Sequence, residues 1–185
     1  MIDEICRDAD ERMGKSLESL QTAFARIRTG RANPSLLDGI EVSYYGNDTP
    51  LNQVASISVE DARTLVISPW EKKLVPDIEK AILKSDLGIT PNTTSELIRV
   101  PLPALTEENR RDLAKQARHE SENARVAIRN IRRDAIGDIR DLVKEKMVSE
   151  DDARRGEEAI QKLTDKRIAQ VDKALEAKEA DLMVI

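Results

Sequence analysis

The chain has 185 residues, which suits one ordinary domain or two small ones and is long enough to bury a core without disulfides or metals. Its one cysteine, Cys6, excludes an internal disulfide framework and a cysteine-based zinc cluster. Charged residues make up 35% of the sequence and aromatics 2%, a balance that points to long solvated helices, while the net charge of −5 argues only weakly against nucleic acid until the charges are placed.

The acidic start, Met1 to Arg7, has no apolar signal region, and no run approaches the roughly 18 apolar residues of a membrane span. A soluble cytoplasmic protein with no membrane partner is expected. The first element is a helix: Ile2, Ile5, Ala9, Met13, Leu17, Leu20, Phe24 and Ile27 step by three or four and keep one apolar stripe. Gly30 is the predicted stop, with Arg26 and Arg28 in the last turn, where the helix dipole favours cations.

The composition then changes. All seven prolines lie between residues 30 and 106, where 17 of 77 residues are charged, against 48 of 108 in the flanks. Such a shift, entered at Thr29-Gly30-Arg31 and left at Pro101-Leu102-Pro103, reads as a small domain (30–106) inserted into a helical one (1–29 and 107–185). Inside it, Ile40–Tyr45 alternates as a strand and meets a turn at Gly46-Asn47-Asp48. Val54–Val59, Thr64–Ser68 and Leu97–Val100 are further strands, and Asp77–Leu87 is a helix stopped by Gly88. The insert is therefore α+β. Tyr44, Tyr45 and Trp70 are its few large residues and are read as its core, with a base-stacking platform as the other reading.

Downstream, Thr106-Glu107-Glu108-Asn109 opens a second long helix with a threonine cap and acids in the first turn. Its apolar line is Leu113, Ala117, Ala124, Ile128, Ile131, Ala135, Ile139 and Leu142. Ser149-Glu150-Asp151-Asp152 caps a third, whose stripe is Ala153, Ile160, Leu163, Val171, Leu175 and Leu182. None of the three is apolar all round, so each buries its stripe against the others: a three-helix bundle, about 40–60 Å long at 1.5 Å per residue.

Charge on the second long helix is sorted by angle. With Arg118 at the origin and about 100° per residue, Arg111, Arg125, Arg129, Arg132 and Arg140 fall within about 40° of it, and Lys115 and Arg133 at about 60°. The apolar line and the acids Asp112, Glu120, Asp134, Asp138 and Asp141 occupy the other faces. Glu122 alone interrupts the stripe, where it can pair with Arg118 or Arg125. From Arg110 to Arg133 there are eight cations and three acids, and seven of the eight are arginine. A solvated face pairing with acids on neighbouring helices is the plainer reading. The segregation and the preference for arginine, whose planar fork matches phosphate, favour contact with a nucleic-acid backbone.

Catalytic signals are missing. His119 sits between the basic and acidic faces with no nucleophile beside it, Cys6 is a packing residue, and no phosphate loop, dinucleotide fingerprint or zinc-protease motif occurs. Neither an enzyme nor a cofactor or metal is indicated.

The segment Ile27-Arg28-Thr29-Gly30-Arg31-Ala32-Asn33-Pro34-Ser35-Leu36-Leu37-Asp38 resembles the domain-junction signature of the bacterial ribosome recycling factor family. Tyr44-Tyr45-Gly46, Ser85-Asp86-Leu87-Gly88, Ile98-Arg99-Val100-Pro101-Leu102-Pro103 and Arg129-Asn130-Ile131-Arg132-Arg133-Asp134-Ala135 match the same family in the same order. The resemblance implies an L-shaped molecule with the outline of transfer RNA, a three-helix bundle carrying a β/α/β domain on two short linkers. It implies a monomeric translation factor, not an enzyme. With elongation factor G and GTP, such a factor splits the post-termination ribosome, holding the large ribosomal subunit through its 23S rRNA. Arg110, Arg129 and Arg132 match family arginines of that contact, and Arg28 and Arg31 flank the hinge. Stripe and resemblance together make Arg28, Arg31, Arg110, Arg111, Arg118, Arg125, Arg129, Arg132 and Arg133 the expected RNA-binding set. Thr29, Gly30, Arg31, Ala104, Leu105 and Thr106 are the expected hinge. The alternative is a helical adaptor or chaperone whose stripe binds acidic protein surfaces.

Overall fold

A computed structural model gives the fold, described here for residues 1–183. The chain forms two compact units: Met1–Phe24 with Ala114–Ala180, and Ala25–Leu113 with residues 181–183.

The first unit is helical, drawn from α1 (Ile2–Arg26), α4 (Glu107–Lys144) and α5 (Glu150–Met183). Its buried residues follow the apolar stripes: Ala9, Met13 and Leu20 on α1, Ile128, Ile131 and Ile139 on α4, Ala153, Ile160 and Val171 on α5. Two buried polar residues escape a hydrophobicity pattern, Ser121 and Thr164. Each hydroxyl donates to a carbonyl one turn back, Ala117 at 3.0 Å and Ile160 at 2.8 Å, so neither donor is left unmet. Helices approach closely at two glycines. A Cβ on Gly156 of α5 would stand 2.7 Å from Ile2 and 3.1 Å from Ile139, and one on Gly14 of α1 would meet the Arg167 guanidinium at 3.3 Å. That guanidinium bonds the Asp10 carboxylate at 2.6 Å.

The caps follow the sequence. Thr106 Oγ1 accepts from the Asn109 amide at 3.1 Å, and Ser149 Oγ from Asp152 at 3.1 Å. Between α4 and α5 the chain reverses through a Schellman turn: Met147 N donates to the Leu142 carbonyl and Lys146 N to Val143, each at 2.9 Å, with Lys146 left-handed at φ 57°. The end of α1 differs from expectation. The helix stops at Arg26, and Gly30 does not take a positive φ. Beyond the helix end, the Thr29 hydroxyl oxygen accepts from the Arg31 amide at 3.3 Å, a local partner for the backbone there.

The second unit is the α+β part. Strands β1 (Glu41–Tyr44) and β2 (Asn47–Pro50) form a hairpin, and a single helical turn, α2 (Leu51–Val54), leads to β3 (Ala55–Asp61). β3, β4 (Thr64–Pro69), β6 (Ile98–Pro101) and β5 (Asn92–Thr93) form an antiparallel sheet in that order, with α3 (Val75–Lys84) between β4 and β5. The β1–β2 turn is Tyr45-Gly46, at φ 50° and 83°, one residue earlier than predicted, because a two-residue reversal needs two positive φ values. β2 and β5 carry polar residues and no alternation, so periodicity passes over them. α3 begins and ends earlier than the predicted 77–87: Pro76 suits a first helical turn, and the Ser85 hydroxyl bonds the Ile82 carbonyl at 2.6 Å where the helix ends.

The core of this unit is aliphatic, with Val42, Leu51, Leu65, Ile67, Ile78, Ile82, Ile98 and Val100 nearly or fully inaccessible. Of the three aromatics predicted as core, Tyr44 packs partly buried against the aliphatic cluster, whereas Tyr45 is 68% exposed and Trp70 66%. Tyr44, half-buried, and Tyr45 stack edge to face at 4.5 Å, both hydroxyls donate to Glu71, and the Lys73 ammonium lies 4.4 Å over the Tyr45 ring. The β3–β4 tip ties down both connecting segments, since Ala32 N donates to Ala62 O at 2.7 Å and Leu102 N to Arg63 O at 2.6 Å. No described helix is long and apolar enough to cross a membrane.

Candidate nucleic-acid interface

The stripe on α4 is real, but it is not a free row of charge. Its flank faces α5, and the plainer reading holds for part of it. Arg118 Nε donates to Glu179 at 3.2 Å and Arg140 Nε to Glu157 at 3.0 Å. Arg125 is held hardest: Nε and Nη2 reach Asp172 at 3.0 and 2.6 Å, and Nη1 reaches Glu122 at 3.3 Å. Its side chain is only 19% exposed. Bonding to Asp172, with help from Glu122, pushes its guanidinium further above the ordinary arginine range. A helical wheel places Arg125 on the exposed face; the neighbouring helix covers that angle, so Arg125 is a bolt between α4 and α5.

Glu122 pairs with Arg125 and, at 3.5 Å, with Arg129, not with Arg118. Arg129 keeps the rest of its fork and is half exposed. Arg133 is exposed, as is Lys115, and neither forms an ion pair among the described residues. Arg132 is half-buried, and its one bond is neutral: Nε donates to Gln161 Oε1 at 2.7 Å. On the opposite flank the acidic face meets α1, with Arg12 at 3.4 Å from Asp134.

Four expected arginines lie in the second unit. Arg111 is exposed and pairs within its own helix with Glu107 at 2.8 Å. Arg31 is exposed. Arg28 and Arg110 are half-buried, and the Nε of each is enclosed without a hydrogen-bond partner. Burial lowers the Arg28 pKa from the ordinary arginine value. Of the expected hinge residues, Leu105 is buried and Thr106 caps α4.

The stripe therefore divides into two kinds of group. Arg118, Arg125 and Arg140 have carboxylate partners on α5. Arg129, Arg132 and Arg133 keep donors that intramolecular acids do not use, and these can take the non-bridging oxygens of a phosphodiester backbone. One-helix reasoning missed the α5 partners Glu157, Gln161, Asp172 and Glu179. A signal for them exists in the sequence: in an antiparallel hairpin, seven back along α4 from Arg125 to Arg118 matches seven forward along α5 from Asp172 to Glu179.

Comparison with known proteins gives one answer throughout. The family model described as ribosome recycling factor matches residues 20–183. Ribosome-recycling factors of Marinomonas sp. and Saccharophagus degradans are each 62% identical over 185 residues, covering all of both chains. A solution structure of a ribosome recycling factor superposes with a TM-score of 0.79 at 40% identity, covering 100% of this chain and 98% of that one. A second match, at TM-score 0.69 and 44% identity over the whole of both chains, is described as models for the T. thermophilus ribosome recycling factor and the E. coli elongation factor G bound to the E. coli post-termination complex.

Proposed function

The chain belongs to the ribosome recycling factor family, and on that premise we propose that it takes the post-termination ribosome apart together with elongation factor G and GTP, gripping large-subunit RNA through Arg129, Arg132 and Arg133 of α4. It acts as a translation factor, in the bacterial cytoplasm where ribosomes work, and supplies binding and leverage while its partner hydrolyses GTP. Residues 30–106 form the domain carried on the bundle, and the joint lies at Thr29, Gly30 and Arg31 on the way in and at Ala104, Leu105 and Thr106 on the way out. Arg28, Arg31 and Arg110 extend the RNA contact from the junction. Arg28 and Arg110 pair with no carboxylate among the described residues, and their terminal nitrogens, unlike the enclosed Nε, remain for a phosphate.

The observation that carries the RNA contact is the unequal pairing along α4. Arg125 spends all three nitrogens on carboxylates, whereas Arg132 meets only a neutral amide and keeps its terminal fork. Binding of purified large subunits at several salt concentrations tests it. The Arg129→Ala/Arg132→Ala protein loses affinity, and its log–log salt slope falls by about 0.7–0.9 for each phosphate contact removed. Light scattering of post-termination ribosomes with elongation factor G and GTP then shows slowed splitting. Unchanged affinity and slope in the double variant overturn the RNA contact, and equal binding of the wild type to polyglutamate returns the chain to the adaptor reading.

A further inference from the structure

α4 and α5 run antiparallel, and three α4 arginines pair with α5 in one common register. Arg118 takes Glu179, Arg125 takes Asp172 and Arg140 takes Glu157, all carboxylates. Eight residues back from Arg140 is Arg132, and eight forward from Glu157 is Asp165. The regular partner of Arg132 is therefore another carboxylate, yet the two do not pair. Gln161 lies between them: its Oε1 accepts from Arg132 Nε at 2.7 Å, and its Nε2 donates to Asp165 Oδ1 at 2.9 Å. The amide orientation is fixed by chemistry, because only the oxygen can face a guanidinium and only the nitrogen a carboxylate.

We propose that Gln161, braced by Asp165, is a positioning residue for Arg132: it fixes the guanidinium by its Nε edge while keeping a carboxylate off the fork, so that both terminal nitrogens are presented to phosphate. This inference rests on the reading that Arg132 contacts ribosomal RNA. A direct pair with Asp165 would neutralise the charge and occupy the donors, as Asp172 does for Arg125. No side chain at 161 would leave a long side chain free to rotate, and that freedom would be lost again on binding. The neutral relay avoids both costs.

The test is a double-mutant cycle on large-subunit affinity with full-length protein, using Gln161→Met, which keeps the length and helix preference of the side chain but removes the acceptor. In the wild-type background Gln161→Met weakens binding about three- to tenfold, the net worth of one ordinary hydrogen bond, because the lost bond orients Arg132 and does not itself reach the RNA. In the Arg132→Ala background it has no further effect. Asp165→Asn, which still offers an oxygen to Gln161, stays near wild type, whereas Asp165→Ala follows Gln161→Met. Circular dichroism melts confirm that each variant is folded, and Gln161→Ala replaces Gln161→Met if the latter is not. If Arg132→Ala weakens binding and Gln161→Met does not, or if the two losses simply multiply, the positioning role is overturned and the RNA contact stands. If Arg132→Ala itself binds like the wild type, the RNA contact falls and the positioning role with it.

Discussion

Arg125 and Asp172 lie 2.6 Å apart across the α4–α5 seam, and little of the arginine side chain is left open to solvent. An ion pair in that setting joins two helices through two charge-assisted bonds to one Asp172 oxygen, and Glu122 adds a second carboxylate oxygen and a third bond. Its removal is a stability change more than a binding change. Arg125→Ala lowers the unfolding free energy by about 1–2 kcal/mol, above the worth of an exposed pair and within the range for hydrogen bonds to charged groups. It leaves the salt slope of large-subunit binding nearly unchanged. Arg133→Ala does the reverse, sparing stability and lowering the slope. Urea melts and salt titrations on the same two proteins check both halves.

This division could not be read from one helix. The wheel sorted α4 into apolar, acidic and basic faces, and the buried residues Ile128, Ile131 and Ile139 fall on the apolar one. What the wheel lacks is the angle at which a second helix arrives. α5 covers part of the basic face, so Arg125 is enclosed at nearly the same wheel angle at which Arg129 stays open. The small unit shows a different limit. Aliphatic alternation located β1, β3, β4 and β6, but Trp70 was assigned to the core on size alone, and a core of Ile, Leu and Val had no need of it. The glycine that composition favours as the stop, Gly30, lies beyond the end of α1 at Arg26. The family resemblance, not any periodicity, is what turns the basic stripe into a proposal of ribosomal RNA as the partner.

Gly156 and Gly137 make a matched pair, each a glycine within a long helix of the bundle. Glycine costs a helix interior about 1 kcal/mol relative to alanine, so Gly137→Ala, with nothing near the new Cβ, stabilises by up to that amount. At Gly156 the same Cβ meets Ile2 at 2.7 Å and Ile139 at 3.1 Å. Ile139 is fully buried and cannot give way. Overpacking of about 1–3 kcal/mol then exceeds the helix gain, and Gly156→Ala lowers the melting temperature while Gly137→Ala raises it.

Lys146 holds a left-handed backbone at φ 57° because the Schellman turn needs it there, not because lysine favours it. Left-handed geometry costs a residue with a Cβ about 1–2 kcal/mol, and glycine gives back part of the relief through its greater freedom in the unfolded chain. Lys146→Gly therefore stabilises by up to about 1 kcal/mol without altering ribosome binding. A higher urea midpoint with an unchanged slope is the expected reading, and an unchanged or lower midpoint shows that the turn carries no such strain.

Asp61 gives the small unit a pH dependence at a mechanically important place. Its carboxylate accepts the Arg63 amide at 2.9 Å, and that bond, with a second from Thr64, holds its pKa below the ordinary aspartate value. It sits at the β3–β4 tip, whose Ala62 and Arg63 carbonyls bind the Ala32 and Leu102 amides of the two connecting segments. Because the carboxyl titrates lower in the folded chain than in the unfolded one, its contribution is complete above the unfolded value. It is lost as the pH falls through the folded one. Amide-exchange protection at Ala32 and Leu102, corrected for the intrinsic effect of pH on exchange, is therefore steady from neutral pH down to the ordinary aspartate range and drops below it. Asp61→Asn keeps an oxygen for the Arg63 amide but has no proton to gain, so its protection profile is flat across the same window. A drop of equal size in Asp61→Asn assigns the acid sensitivity to another carboxyl and separates Asp61 from the anchoring of the connecting segments.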